Sequence, residues 1–212
     1  MKPKTSSPWE KGSDLGIWKG IYQTFNLVLF SPGKFFSNMT HTNGIKEPLA
    51  FGLLLGSMGT MFGFFWQFLV MSGRILSPGG ILLDKFDINL NLIFLGIMII
   101  SPFLVILNML ISGSIIHMCL LILRGDKSGF EGTFRVIAFS QATRILDLIP
   151  FVGELIGGIW NLVVLIVGIR NIHDTSYFKT IVAIMVLLFL KILILLPVFL
   201  IKVIGSSLGF LW

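Results

Sequence analysis

Charge is what this 212-residue chain has least of: only 12% of its residues are Asp, Glu, Lys or Arg, about half the share of soluble domains. With 55% hydrophobic residues and a mean hydropathy of +0.93, the composition is that of a membrane protein. A single cysteine, Cys119, excludes an internal disulfide. Period-two alternation is missing and the apolar residues come in long blocks, which excludes a β-barrel. Catalytic signatures are missing as well: there is no Walker loop, no His-Glu-x-x-His, no cysteine pair and no strand context for a nucleophile elbow. His41 and His173 lie in polar stretches poor in carboxylates, and His117-Met118-Cys119 point in different directions on a helix. No metal, no cofactor and no enzymatic activity are therefore expected. The first fourteen residues lack the apolar core of a removable signal peptide, so none is expected.

The chain is instead rich in apolar runs near or beyond the ~20 residues that cross ~30 Å of hydrocarbon. They predict an all-α, polytopic bundle of five transmembrane helices, about 48–71, 101–123, 134–149, 155–172 and 180–204. A cytoplasmic N-terminal region, 1–45, precedes this domain of 46–212. Residues 1–13 read as a mobile tail. Over 14–30, Trp18, Ile21, Tyr22, Phe25, Val28 and Leu29 recur at helical spacing. This predicts an amphipathic helix, lying either in the headgroup region or against the bundle's own loops. Ser31-Pro32 starts a short helix to Met39, with Ser as N-cap and Pro in the first turn. Phe35 and Phe36 are expected inside and Lys34 toward phosphates. Trp18, Tyr22, Phe25 and Lys34 are thus the expected membrane-surface residues.

In the first span Gly52, Gly56, Gly59 and Gly63 share one face, a groove that lets another helix approach closely. Residues 72–91 read as a loop. The run 92–123 would extend ~48 Å as one helix, so Pro102 is expected to divide or kink it.

The centre of the chain is 134–174, where two short apolar segments flank the turn Pro150-Phe151-Val152-Gly153-Glu154. Ser140, Arg144 and Asp147 form a polar stripe on the first segment; Glu154, Gly157, Asn161 and Gly168 form a small-and-polar stripe on the second. Both segments are short, so either two spans or a re-entrant hairpin would satisfy the pattern. Charge inside an apolar segment needs a partner or an aqueous route. Arg144 and Asp147 are therefore either a register-fixing pair, or part of a path with Glu154 and Lys191, or neighbours of the outer headgroups. Lys191 in the fifth span snorkels, faces the bundle, or pairs with Asp147.

Net charge is +6, and the basic residues cluster at span ends, as membrane orientation and anionic lipid require. Eleven Lys and Arg fall on the N-terminal side, Arg135 counted among its loops, against Arg74, Lys85 and Lys202 on the other. The N-terminus is thereby predicted in the cytoplasm and the C-terminus outside. Membrane lipids, further copies or other membrane proteins are the expected partners, and nucleic acid is not.

Three stretches carry a resemblance. They are Phe30-Ser31-Pro32-Gly33-Lys34-Phe35-Phe36, Glu47-Pro48-Leu49-Ala50-Phe51, and Phe134 to Ser176. The last holds Arg135-Val136-Ile137-Ala138-Phe139-Ser140, the Ile149–Gly153 turn, Ile159-Trp160, and Gly168-Ile169-Arg170 with His173. In order and spacing they resemble the Yip family, five-span membrane proteins named for interaction with Rab-type GTPases. Arg144 with Asp147 departs from the pattern, where apolar or small residues are expected. The resemblance implies five spans, a cytoplasmic N-terminus and, in eukaryotic relatives, membrane trafficking. The short N-terminal region points to the prokaryotic type and a bacterial cytoplasmic membrane. The expected function is non-enzymatic membrane organisation through helix packing and partner recruitment. The rival is a small transporter, channel or scramblase using Arg144, Asp147 and Lys191.

Overall fold

The computed structural model describes residues 6–11, 16–39, 44–71 and 90–208, without the side chains of 71, 90 and 198–208. Residues 1–5 with Lys2 and Lys4, His41 with Thr42-Asn43, the 72–89 part of the expected loop, and the side chain of Lys202 lie outside the described residues. The described chain is all-helical. Its elements are α1 (Ile17–Phe30), α2 (Pro32–Ser37), α3 (Lys46–Met71), α4 (Leu90–Ile122), α5 (Gly129–Ser140), a 3-10 segment (Gln141–Leu148), α6 (Gly153–His173) and α7 (Tyr177–Leu208). Among the described residues, four helices are long and apolar enough to cross a membrane: Lys46–Val70, Asn91–Ile122, Gly153–His173 and Tyr177–Pro197.

Of the two outcomes expected at Pro102, a division or a kink, the division does not occur: the second of these helices is continuous. Proline removes the donor that would satisfy the carbonyl four residues back. That carbonyl belongs to Met98, and the Ser101 hydroxyl donates to it at 2.9 Å. A neighbouring side chain repairs the gap, as membrane helices allow.

The segment expected at 134–149, as a span or as half of a re-entrant hairpin, differs most in extent and helix type. It begins earlier, at Gly129, and changes from α-helix to 3-10 helix after Ser140. Side-chain donors explain the change. Ser140 and Gln141 donate to the Ile137 carbonyl at 2.8 and 3.4 Å, and Thr143 donates to the Ser140 carbonyl at 2.9 Å. Such local bonds compete with the regular ladder. From Gly132 to Thr143 every residue is buried, because α3 lies along one side and α6 along the other, with α4 over α5.

The small-residue faces are what let the flanking helices in. A methyl at Gly52 would sit 2.7 Å from the Ala138 carbonyl oxygen, and one at Gly56 3.1 Å from the Gln141 side-chain oxygen. One at Gly59 would overlap the Arg144 backbone. From α6, Gly157 faces Thr143 and Asp147, and Gly168 faces Val136 and Phe36. Gly63 meets nothing within 4 Å.

The N-terminal stretch is not free where it is described. Trp9 donates its indole N–H to the Glu47 carbonyl at 2.7 Å and its backbone N–H to the Thr24 hydroxyl at 2.9 Å. Its ring opens an aromatic chain, Trp9–Phe51–Phe139–Phe35–Phe36, with centroids 5.0 to 6.1 Å apart. These contacts hold residues 6–11, which composition alone assigned to a tail.

Candidate functional site

Two charged sites lie on the buried segment. The first is the expected one. A 3-10 helix brings residues i and i+3 into line, so the Arg144 guanidinium donates directly to Asp147 Oδ2 at 3.1 Å. Asp147 is buried and the Arg144 side chain is 38% exposed. Trp66, from α3, donates its indole N–H to the Asp147 carbonyl at 3.2 Å. The second carboxylate oxygen of Asp147 lies against Gly157 and has no hydrogen-bond partner among the described residues. Two adjoining pockets, of about 310 and 140 Å³, share Gly63, Gln67, Asp147 and Glu154 as walls. Glu154 is exposed in the first turn of α6, where a carboxylate favours the helix dipole.

Lys191 does not join this pair. Its ammonium donates to the Asn108 side-chain oxygen on α4 at 3.2 Å, so of the three fates open to it, it faces the bundle. Asn161 stands half-buried on α6, its amide oxygen without a partner among the described residues.

The second site escaped the sequence reading. Arg135, counted there as a loop residue, is fully buried. It makes an ion pair with Glu10, donates to the Gly44 carbonyl at 2.9 Å, and lies 4.0 Å from Glu131. Glu10 and Glu131 in turn accept the backbone N–H groups of Ser7 and Gly44 at 2.7 and 2.8 Å. One buried cation thus ties both ends of the N-terminal region to α5. The signal was present, because Arg135 lies one residue inside the segment bounded at Phe134. Counting it as a surface charge hid that. Beside it, His173 is buried at the end of α6, 2.9 Å from Asp126 Oδ1 and 2.9 Å from the Thr133 hydroxyl. These bonds join the α4–α5 turn to α6.

Of the residues expected at the membrane surface, Trp18 is 84% and Tyr22 66% exposed, Phe25 is half-buried and Lys34 exposed; Phe30, at the helix end, is 77% exposed. The opposite side of α1, Gly20, Thr24 and Val28, is buried. Gly20 can lie there because it has no side chain: a methyl would sit 3.0 Å from the Pro8 carbonyl oxygen. Trp160, from α6, donates to the Leu29 carbonyl at 3.1 Å and holds the far end of α1.

Of the two charged sites, the Arg144–Asp147 pair lies within the 3-10 segment, whereas the Arg135–Glu10 pair joins the N-terminal stretch to α5. No curated protein and no solved structure matches this chain. Residues 26–200 match the Yip1 domain, which covers most of the chain, including α2, both flanking glycine faces and the buried segment between them. With its four apolar helices, the chain is an integral, multi-pass membrane protein and belongs to the Yip1-domain family.

Proposed function

We propose that this protein is a five-pass, non-enzymatic organiser of the membrane, and that α1 is its working surface. The fifth pass is the α5/3-10 segment. Twelve α-helical and eight 3-10 residues extend ~34 Å, enough for the ~30 Å core. Most of its polar side chains, Thr133, Arg135, Ser140, Gln141, Thr143 and Asp147, are buried against protein, the setting in which such groups are tolerated.

The single observation behind the functional reading is the exposed aromatic side of α1. Trp18 and Tyr22 project from a helix whose other side is fastened to the bundle. Trp and Tyr favour the headgroup depth, so α1 lies in the interface. Gly52, Gly56 and Gly59 are occupied by the chain's own α5/3-10 segment. Recruitment of other proteins or further copies therefore uses α1 or the lipid-facing sides of α4 and α7. Withdrawing the buried Arg135 from the eleven basic residues leaves ten against three, which still supports a cytoplasmic N-terminus. The setting is a bacterial cytoplasmic membrane. A conduction path along Arg144, Asp147 and Lys191 has less support, since Lys191 is held by Asn108 and the pair closes on itself.

The test uses the full chain with Cys119→Ala and Trp18→Cys, labelled with an environment-sensitive fluorophore in vesicles. A blue-shifted emission quenched by shallow lipid-borne quenchers is expected. Emission typical of water would remove the reading.

A further inference from the structure

A second pocket, far along the chain from the charged pair, is built from three pieces of the N-terminal region. It encloses about 440 Å³ between residues 6–11, α1 and α2, within the ~300–1,000 Å³ range of small-ligand pockets. Its polar wall is made by Ser6, Lys11, Gln23, Lys34 and Asn38. Phe35 and Leu27 supply apolar wall beside them.

The electrostatics of this pocket are one-sided. No carboxylate lines it, and among the described residues neither lysine has a carboxylate partner. The carboxylate nearest in sequence, Glu10, is consumed by Arg135 and by the Ser7 backbone N–H. The buried ion pair thus takes this carboxylate away from Lys11. Two lysines remain, one from residues 6–11 and one from α2, in a lining that also holds amide and hydroxyl donors. That set suits a phosphate oxyanion, for which lysine serves as a point charge.

The neighbourhood selects among phosphates. Gln23 follows Tyr22 on α1, whose exposed side also carries Trp18. A helix held at headgroup depth by these rings places the pocket where lipid phosphates lie, and anionic leaflets concentrate them there.

We propose that this pocket binds the headgroup of an anionic phospholipid, its phosphate between Lys11 and Lys34. Gln23, Asn38 and Ser6 donate to the headgroup's remaining oxygens, and Leu27 borders the route by which the acyl chains leave. The proposal rests on the interfacial reading of α1 and names the ligand of that surface.

Native mass spectrometry of the full chain in detergent, with short-chain phosphatidylglycerol, phosphatidylcholine or inorganic phosphate as probe, tests it. Phosphatidylglycerol is expected to bind at least ten-fold better than phosphatidylcholine. Lys11→Gln and Lys34→Gln should each cost about five-fold, with the unfolding midpoint in detergent unchanged because both side chains are exposed. Lys19→Gln, on α1 but outside the pocket, should leave the preference intact. Equal binding of the two lipids, or a preference surviving the double substitution, overturns the proposal. So does lysine-dependent binding of inorganic phosphate with no preference between lipids, which would mark a free-anion site. The Trp18 label separates the two failures: label at membrane depth with no lipid preference removes the pocket alone, whereas label in water removes the interfacial reading beneath it.

Discussion

Arg135 and Arg144 sit nine positions apart on one buried segment, yet their surroundings differ sharply. Arg135 has no exposure and Glu10 almost none, whereas the Arg144 side chain is 38% exposed. Breaking a buried pair strands a charge and costs about 3–5 kcal/mol, while replacing both partners with apolar groups is often neutral. Arg135→Ala should therefore lower the thermal unfolding midpoint in detergent markedly. Glu10→Leu together with Arg135→Met should recover most of the loss. A double variant as unstable as the single would show that the cost lies in packing and not in charge. Asp147→Asn keeps an acceptor for Arg144, whose own side chain is 38% exposed, and should lower stability less than Arg135→Ala does. In reconstituted liposomes it should also leave ion and lipid flux at the level of the parent protein. Flux that the parent shows and Asp147→Asn abolishes would restore the transport reading. The Arg144–Asp147 bond was legible in the sequence because i,i+3 spacing brings side chains together on either helix type. The Arg135–Glu10 pair was not, because 125 residues separate its partners and nothing local brings them together.

At the scale of elements, the glycines of α3 show what a periodic pattern can and cannot tell. Their spacing puts Gly52, Gly56 and Gly59 on one face but does not say what fills it. The filler is the chain itself, the backbone from Ala138 to Arg144. Gly59→Ala drives a methyl into that backbone and should cost upward of the ~1–3 kcal/mol usual for overpacking. Gly63→Ala, in open space, should be neutral or stabilising by up to ~1 kcal/mol through helix propensity. Unfolding midpoints of the two variants, measured side by side, check this. A Gly63→Ala protein as damaged as Gly59→Ala would mean that the groove is read wrongly. The α5/3-10 segment was the least legible element. Hydropathy detects lipid-facing helices, and this one faces other helices. Its serine, threonine and glutamine side chains instead reshape their own backbone.

For the whole molecule, the order of passes predicts which turns share a side. With the α5/3-10 segment and α6 both crossing, the Ile149–Val152 turn lies opposite the turn after His173. On a Cys119→Ala background, Phe151→Cys and Ser176→Cys, both exposed, should react with an impermeant thiol reagent from opposite faces of sealed vesicles. Reaction of both from one face would make 134–172 a re-entrant hairpin and reduce the passes to three. The composition by itself determined that the chain enters lipid and where its apolar blocks lie, since both depend on local runs of residues. Only the tertiary structure decided that the glycine faces close on the protein's own central segment. It alone took Arg135 out of the loop count and brought residues 6–11 into the bundle. Those outcomes depend on which distant surfaces meet, and a buried charge or a small residue carries no record in its neighbours of the partner it will find.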